Sequence, residues 1–212
     1  MSRFLLSLAA VLVIDDIVVR QGECLSSQLE SSGKVCDFEL NRTCIFEPIF
    51  SASDPTWTVY QGSDFGIVDH TTHTRDGHYY GLDLAAFGGR TSATTFRTSS
   101  VAAQAVDGTT YRCLQFSYLM ANVLPNTTLN YYTSSGVGFG RQREHWSVAG
   151  STLKMWFTRR APLPSYRSTY LSMGIRTLGE PAGKVFIDDV RFLKTSCNYP
   201  HTCDFEVNRE GG

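Results

Sequence analysis

The chain of 212 residues has the length of one domain, or of one domain with a fragment of a second. Its 42% hydrophobic and 18% charged residues are typical of a globular protein and exclude a disordered tail, a collagen or a long coiled coil. The formal charge of −1 gives no positive field for a phosphate backbone, so nucleic acid is not an expected partner. No apolar run reaches the roughly 18 residues that a membrane span requires, so we expect no transmembrane segment in this chain.

The chain begins with a segment typical of secretory signal peptides. One arginine precedes the apolar run at 4–14, and two aspartates end that run. We therefore expect residues 1–22 to be a signal peptide, cleaved at an undefined bond before Cys24, and residues 23–35 to be an N-terminal linker. The alternative is a buried strand or helix at the start of the fold.

Six cysteines behind a signal peptide predict disulfide bonds. They are Cys24, Cys36, Cys44, Cys113, Cys197 and Cys203. Structural zinc is disfavoured, because no Cys-x-x-Cys pair occurs and no histidine pair has finger spacing. The residues alone leave all fifteen pairings open.

Two N-glycosylation sequons also fit a secreted protein. They begin at Asn41 (Asn-Arg-Thr) and Asn126 (Asn-Thr-Thr). Each asparagine would then have to lie at the surface, whereas chance occurrence of the triplet is the alternative.

One short segment repeats. CDFELNR at 36–42 returns as CDFEVNR at 203–209, with a single substitution. We interpret the chain as one complete module at 36–197, a linker at 198–202 and the start of a truncated second module at 203–212. The chain would then be part of a longer tandem-repeat protein, and a bridge between Cys24 and Cys203 remains open.

Hydrophobic periodicity between 36 and 197 is that of strands. Leu114, Phe116, Tyr118 and Met120 alternate with their neighbours, and the same pattern recurs around Met173. These two segments and seven others are predicted strands, at 56–61, 79–84, 93–98, 129–133, 146–148, 153–158 and 184–193. No helix is indicated, so we predict an all-β, antiparallel sandwich with jelly-roll topology.

Several landmarks follow one another in a specific order. CDFE is followed by Cys44, Trp57, SDFGIVDHTTHTRDGHY at 63–79, CLQFSY at 113–118, Trp146 and VFIDDVRF before Cys197. This order resembles the MAM domain, the extracellular module of meprins, neuropilins and receptor tyrosine phosphatases. The resemblance covers 36–197, and 203–209 is similar to the start of a second such domain.

The resemblance implies a disulfide-stabilised jelly roll. It also implies the pairing of Cys36 with Cys44 and of Cys113 with Cys197. Some MAM domains hold a calcium or sodium ion near these motifs, so a structural Ca²⁺ or Na⁺ is possible here although no cofactor is required.

Strand alternation in 184–192 places Phe186 and Asp188 on one face and Ile187 and Asp189 on the other. One carboxylate therefore points toward apolar neighbours, where it needs a hydrogen bond, an ion pair or a metal. The alternatives are a pair with arginine or turn N–H groups, and a cation site. The candidate ligands of that site are Glu39, Asp69, Asp188 and Asp189, which are the hard oxygen donors that such ions prefer.

Enzymatic chemistry is not expected. His70, His73 and His78 cluster before a strand, where turn hydrogen bonds are the favoured role over zinc or general-base chemistry. No Gly-x-Ser-x-Gly nucleophile motif occurs. Glu39 and Asp64 could be imagined as a glycosidase pair, but the sequence does not define their separation.

A basic, aromatic stretch offers a possible binding surface. Its members are Arg141, Arg143, Trp146, Trp156, Arg159 and Arg160. Arginine and tryptophan are enriched at interaction hot spots. The alternative is core aromatics with solvated neighbours.

The sequence thus predicts a non-catalytic extracellular MAM-domain protein that mediates cell adhesion or protein interaction. Its partner would be another protein or a second copy of the chain, on the extracellular side. Carbohydrate binding is an alternative, since jelly rolls also serve lectins. A role as accessory domain of a larger secreted enzyme such as a metalloprotease, or a membrane anchor further along a longer protein, also remains open.

Overall fold

The computed structural model describes residues 33–49, 55–88, 93–99, 111–134, 142–151, 153–164 and 170–197. The strands are β1 Gly33–Cys36, β2 Phe46–Pro48, β3 Thr58–Gln61, β4 His78–Asp83, β5 Ala93–Thr98, β6 Cys113–Ala121, β7 Thr127–Ser134, β8 Gln142–Ala149, β9 Phe157–Pro162, β10 Tyr170–Thr177 and β11 Lys184–Leu193. A single helical turn, α1 (Gly62–Phe65), follows β3, and a 3-10 turn (Leu84–Phe87) follows β4. The predicted signal peptide, Cys24 and the repeat at 203–209 lie outside the described residues.

The strands form two antiparallel sheets. One sheet has six strands in the order β3, β4, β11, β6, β9, with β1 paired to the second half of β11. The other has five strands in the order β2, β5, β10, β7, β8. Since strands adjacent in a sheet are mostly distant in sequence, the chain passes repeatedly between the sheets. The predicted all-β sandwich of jelly-roll type is confirmed.

Alternating apolar side chains fill the space between the sheets. Leu171, Met173 and Ile175 of β10 point inward and are buried, as the periodicity predicts. Phe96 of β5 makes an edge-to-face contact with Trp57, with ring centroids 4.7 Å apart. This contact lies within a single core cluster that contains side chains from both sheets.

A bulge in β11 changes the predicted alternation. Ser117 lies opposite Asp188 and Gln115 lies opposite Arg191, so β11 has one residue more than β6 between these pairs. Asp189 is in the left-handed conformation with φ 48°. Val185 and Ile187 therefore share the core with Val190 and Phe192, and Asp188 shares the outer face with Phe186. The expectation of strict alternation through 184–192 was wrong, because the extra residue shifts the later side chains to the opposite face.

The outer face of the six-stranded sheet carries a second apolar cluster. Tyr79, Leu119, Ala121 and Phe186 are its buried members. Phe65 and Ile67, which come from α1 and the loop after it, pack over this cluster together with Tyr60 and Trp156. We call residues 62–77 the covering segment, because they close this face of the sheet.

Two disulfides fasten the chain. Cys36 bonds to Cys44 across a separation of 8 residues, and Cys113 bonds to Cys197 across 84. These are the pairings that the family resemblance implies. The second bridge joins the start of β6 to the segment after β11, the two central strands of the six-stranded sheet.

Several strands differ from the predictions, and β8 (Gln142–Ala149) is longer than the predicted 146–148. β1 and β2 were not predicted, and β1 begins at Gly33, within the expected linker. The predicted strand at 153–158 is wrong for its first half, because β9 begins only at Phe157 and Leu153 is 55% exposed. The side chain of Trp156 caps the outer cluster instead of continuing a strand.

Candidate functional site

The bulge in β11 meets the loop that follows α1, and a polar network fills the contact. Asp188 and Asp189 come from the bulge, and Asp69, His70 and Thr71 come from the loop. The bulge places two consecutive carboxylates toward the loop, which a regular strand would not do. We call these five residues the carboxylate network.

Among the carboxylates that the structure describes, Asp188 is the most deeply buried, with no exposed surface. It accepts hydrogen bonds from the backbone N–H of His70 (3.2 Å) and of Asp189 (2.8 Å). Burial and the bond to Asp69 raise the pKa of Asp188 to about 10. Asp188 therefore stays protonated at neutral pH, and its carboxyl O–H donates a hydrogen bond to Asp69.

Asp69 holds the loop in shape. Burial acts to raise its pKa, but hydrogen bonds from Asp188 and from Thr71 and Thr72 hold the pKa below its ordinary value. The backbone N–H of Thr72 and that of Thr71 (3.1 Å) both point at its carboxylate. A Cβ at Gly77 would overlap this carboxylate, so the loop requires glycine there. Asp69 is thus the ionised member of the pair.

Asp189, His70 and Ser117 form a chain of hydrogen bonds. The ring Nδ1 of His70 lies 2.6 Å from Asp189 Oδ2, and its Nε2 lies 3.3 Å from the Ser117 hydroxyl. Burial opposes ionisation of Asp189, but His70 and the nearby Arg191 hold its pKa below the ordinary value. The carboxylate of Asp189 can accept a hydrogen bond from Nδ1 of His70, and the opposite ring nitrogen of His70 contacts the Ser117 hydroxyl.

This order of groups is that of a serine hydrolase triad, but Ser117 is not available as a nucleophile. Only 1% of Ser117 is exposed, and its hydroxyl also contacts Thr158 at 3.0 Å. The His70 ring packs against Trp156, with centroids 5.8 Å apart. The chain of bonds therefore positions the loop on the sheet.

Glu39 lies beside the network. Its carboxylate accepts the backbone N–H of His78 at 3.1 Å. Burial raises the pKa of Glu39, and the negative charge of Asp69 adds to this effect. Asp64, the imagined glycosidase partner, instead accepts the backbone N–H of Gln61 at the start of α1.

The predicted cation ligands lie in one region without converging. Asp69 and Asp188 share a proton, Asp189 is directed to His70, and Glu39 to His78. Across the described residues, no group of three or more His, Cys, Asp or Glu side chains is arranged to hold a metal ion. The donors are hard oxygens suited to Ca²⁺ or Na⁺, but only the Asp69 and Asp188 carboxylates are in direct contact.

The histidines have different surroundings. His70 and His78 each contribute a backbone N–H to a carboxylate of this region. His73 has φ 57° and lies with its ring 6.1 Å from that of His70. The described contacts are those of turn formation.

The aromatic residues of the basic stretch are not displayed as a binding surface. Trp146 packs on Phe116 in the core, with centroids 5.4 Å apart, and Trp156 donates to the carbonyl of Val68 at 2.8 Å. Arg160 donates to Gln115 at 2.9 Å. For Trp146 and Trp156 the structure agrees with the alternative of packed aromatics rather than with a hot-spot surface. Arg141 lies outside the described residues.

The outer face of the five-stranded sheet is polar. Strand pairing places Glu47, Arg97, Ser172, Tyr132 and Glu144 in one row across all five strands. The adjacent row is Thr95, Gly174, Asn130 and Ser147, which are small or medium polar residues. We call these two rows the polar face.

The polar face is internally ordered. The Ser147 hydroxyl donates to the side-chain Oδ1 of Asn130 at 2.7 Å. Burial and the hydrogen bond to Glu144 raise the pKa of Tyr132 above its ordinary value. The Arg97 guanidinium lies 5.2 Å from the centre of the Tyr170 ring. The side chains are therefore held in place before any partner binds.

Sequence reasoning missed Thr71, Ser117 and the whole polar face. Ser117 follows the alternation of β6, but only the loop crossing shows that it meets His70. The polar face could have been found only from strand order, because its rows combine residues from five separate strands.

The fold, the two disulfides and the closed carboxylate network define a disulfide-bonded β-sandwich module. The sequence model of the family described as MAM domain, meprin/A5/mu matches residues 36–198. The chain therefore belongs to the MAM domain family, whose members are non-catalytic extracellular interaction modules. No helix among the described residues has the length and apolar character needed to cross a bilayer.

Solved structures share the fold at low identity. The K1 cleaved adhesin domain of Lys-gingipain from Porphyromonas gingivalis W83 is similar, with TM-score 0.56, 14% identity and coverage of 77% of this chain and 100% of that chain. The K2 cleaved adhesin domain of Lys-gingipain has TM-score 0.54, 12% identity and coverage of 75% and 98%. Caldicellulosiruptor saccharolyticus CBM27-1, in complex with mannohexaose, has TM-score 0.52, 14% identity and coverage of 77% and 97%.

Proposed function

We propose that this chain mediates cell adhesion or protein interaction at the extracellular side, without catalysis, and that it does so through the polar face. The family match over 36–198 is the observation that carries the proposal. Two disulfides agree with an oxidising, extracellular setting. The partner is a protein, and a second copy of the chain is the first to test.

The choice of face follows from how the two sheets are covered. The covering segment and Trp156 pack on the outer face of the six-stranded sheet. The carboxylate network fastens that segment, so this face cannot open without loss of buried hydrogen bonds. The polar face has no comparable apolar cluster among the described residues.

The chemistry of the polar face suits a protein partner. Its charged row carries Glu47 and Glu144 at the edges and Arg97 between them. A row with both signs can face a second copy of itself in a two-fold arrangement, because one glutamate of each copy can then meet the arginine of the other. Glu144 is exposed, and Arg97 and Tyr132 are half-buried, so all three can contact a partner.

The test is aggregation of beads coated with the secreted chain, compared with beads that carry an unrelated glycoprotein. Glu144→Lys should reduce clumping, because it places like charges opposite each other at the contact. Glu180→Lys is the matched control, since Glu180 is also exposed but lies in the turn between β10 and β11. Equal clumping of both variants and the wild type would contradict the polar face as the contact.

A carbohydrate ligand is the other outcome of this test. CBM27-1 shares the fold and was solved with mannohexaose. However, the exposed large apolar side chains among the described residues are aliphatic or methionine, and Tyr132, the aromatic residue of the polar face, is half-buried and hydrogen-bonded to Glu144. Sugar-binding faces commonly stack the ring of a sugar on an aromatic side chain, so the protein partner is favoured. Binding of the chain to an array of glycans, with no clumping of beads, would reverse this choice.

A structural cation is a further part of the proposal. Ca²⁺ or Na⁺ would be held by Asp69 and Asp188. Glu39, which is close to Asp69, and Asp189, which follows Asp188, are the other two candidate carboxylates. The raised pKa of Asp188 supports this, because the excess negative charge of the region is now compensated by a proton. The test is the melting temperature of the chain with calcium, with sodium and with chelator. An unchanged melting temperature in all three would exclude the ion.

Secretion through the segment at 1–22 completes the proposal. The test is the distribution of the chain between medium and cells, with and without those residues. Retention of both forms inside cells would contradict an extracellular role, and a membrane-bound fraction would favour an anchored protein.

A further inference from the structure

Three turns meet at one end of the sandwich and expose aliphatic side chains. Leu124, Leu153 and Leu178 are 41%, 55% and 62% exposed. The turns are joined by backbone hydrogen bonds, from Val123 to the Ser151 carbonyl and from Leu178 to the Asn126 carbonyl, both 3.0 Å. We call the three leucines the end patch. Contiguous exposed apolar surface is uncommon on monomeric proteins and marks a surface that is covered or bound.

Chain connectivity leaves the end patch on the far side from the neighbouring segments. Gly33 of β1 pairs with Phe192, near the end of β11, so the chain enters and leaves the sandwich at the same end. β11 has 10 residues and rises about 3.3 Å per residue, so its two ends lie about 30 Å apart. The end patch lies at the Lys184 end, next to the turn that follows β10.

Asn126 lies beside Leu178 of the end patch and begins a sequon. It is exposed, and its side-chain Nδ2 donates to the Leu178 carbonyl at 3.1 Å. An N-linked sugar replaces one of the two Nδ2 hydrogens, so the other hydrogen can still make this bond. Gly179 has φ 133°, and a Cβ there would stand 2.9 Å from Nδ2. The glycine therefore leaves space beside the amide nitrogen.

From these observations we infer that Asn126 carries an N-glycan whose first sugars lie over the end patch and keep the leucines from associating with other chains. The hydrogen bond to the Leu178 carbonyl holds the Asn126 amide against the turn that exposes Leu178. A sugar attached to Nδ2 would therefore lie beside apolar surface. Asn41 is also an exposed sequon asparagine next to an exposed leucine, Leu40, but it lies in the small loop closed by Cys36 and Cys44. It serves as an internal comparison.

The inference rests on the proposed extracellular setting, since only a secreted chain meets the glycosylation machinery. The experiment expresses the full chain in a secreting eukaryotic cell line and maps glycan occupancy by mass spectrometry of peptides. Full-length Thr128→Ser keeps the sequon and a hydroxyl, whereas Asn126→Gln and Thr128→Ala each remove the sequon. Sedimentation velocity of the secreted proteins then measures self-association.

We expect occupancy of Asn126 in the wild type and in Thr128→Ser, with the same sedimentation distribution for both proteins. Both sequon-removing variants should shift toward larger species, and adding Leu124→Ser and Leu178→Ser to Asn126→Gln should reverse that shift. A secreted chain occupied at Asn41 but not at Asn126 would overturn the inference and leave the extracellular setting intact. Occupancy of Asn126 without any shift on its removal would also overturn it. Failure of the chain to enter the secretory pathway would overturn both proposals together.

Discussion

Asp188 and Asp189 are adjacent carboxylates with opposite predicted responses to neutralisation. Asp188 has a pKa raised to about 10 by burial and by Asp69, so the folded chain keeps a proton that the unfolded chain has lost. The folded state then binds more protons than the unfolded state between the two pKa values. Stability must therefore fall as pH rises, by about 1.4 kcal/mol for each pH unit.

Asp188→Asn should remove this dependence on pH. The asparagine amide N–H can still donate to Asp69. If the amide nitrogen faces the His70 N–H instead, two donors meet and the folded state loses about 1 to 3 kcal/mol of stability. By pH 7 the wild type has accumulated about 4 kcal/mol of penalty relative to acid, measured from an ordinary carboxyl pKa of about 4. The variant should thus be no less stable than the wild type at pH 7, and more stable at pH 9.

The assay is urea unfolding at several pH values from 5 to 9 in chelator. Asp189→Asn is the matched control, because the pKa of Asp189 is lowered by His70 and Arg191. Its ionised form contributes stability above the ordinary carboxyl pKa, so this variant should be destabilised throughout that range and keep the wild-type slope. Identical slopes for the wild type and Asp188→Asn would refute the assignment of the proton to Asp188.

The remaining predictions concern the disulfides, the outer cluster and a buried tyrosine. Cys113→Ser should reduce secretion and stability more than Cys36→Ser, because chain entropy assigns about 4.5 kcal/mol to the long disulfide loop and about 2.5 kcal/mol to the short one. Cys24→Ser should have the smallest effect. Secretion yield and the midpoints of urea unfolding would show this order. Phe186→Ala should cost about 3 to 5 kcal/mol in urea unfolding, since its side chain is fully buried. Burial raises the pKa of Tyr131 well above its usual range, so above about pH 10 this tyrosine ionises in the unfolded chain first and the stability of the fold decreases as pH rises. Tyr131→Phe should lessen this decrease, measured by unfolding at alkaline pH. An unchanged decrease would contradict the role of Tyr131.

The regular part of the fold could be predicted from alternation. β5 and β11 have their predicted bounds, and the inward residues of β10 are those that the pattern indicates. These strands are central or well packed, so one face is selected for apolar residues. β2 has three residues and lies at a sheet edge, which leaves too short a pattern to detect.

The candidate site could be predicted only in part, because its geometry depends on the bulge. The sequence indicated a carboxylate among apolar neighbours, and Asp188 is that residue. It is buried beneath the covering segment rather than between the sheets, since the extra residue at Asp189 shifts the later side chains of β11. Contacts between Asp188 and His70 join residues 118 positions apart, which no local pattern encodes.

The outer faces of the two sheets differ in how the described residues cover them. The carboxylate network and the covering segment close the outer face of the six-stranded sheet. Gly33 and Phe192 place the chain's entry and exit at one end, and the proposed glycan on Asn126 occupies the other. A partner that approaches the polar face meets none of these features. The proposed contact at the polar face is therefore compatible both with the chain's entry and exit at one end and with the proposed glycan at the other.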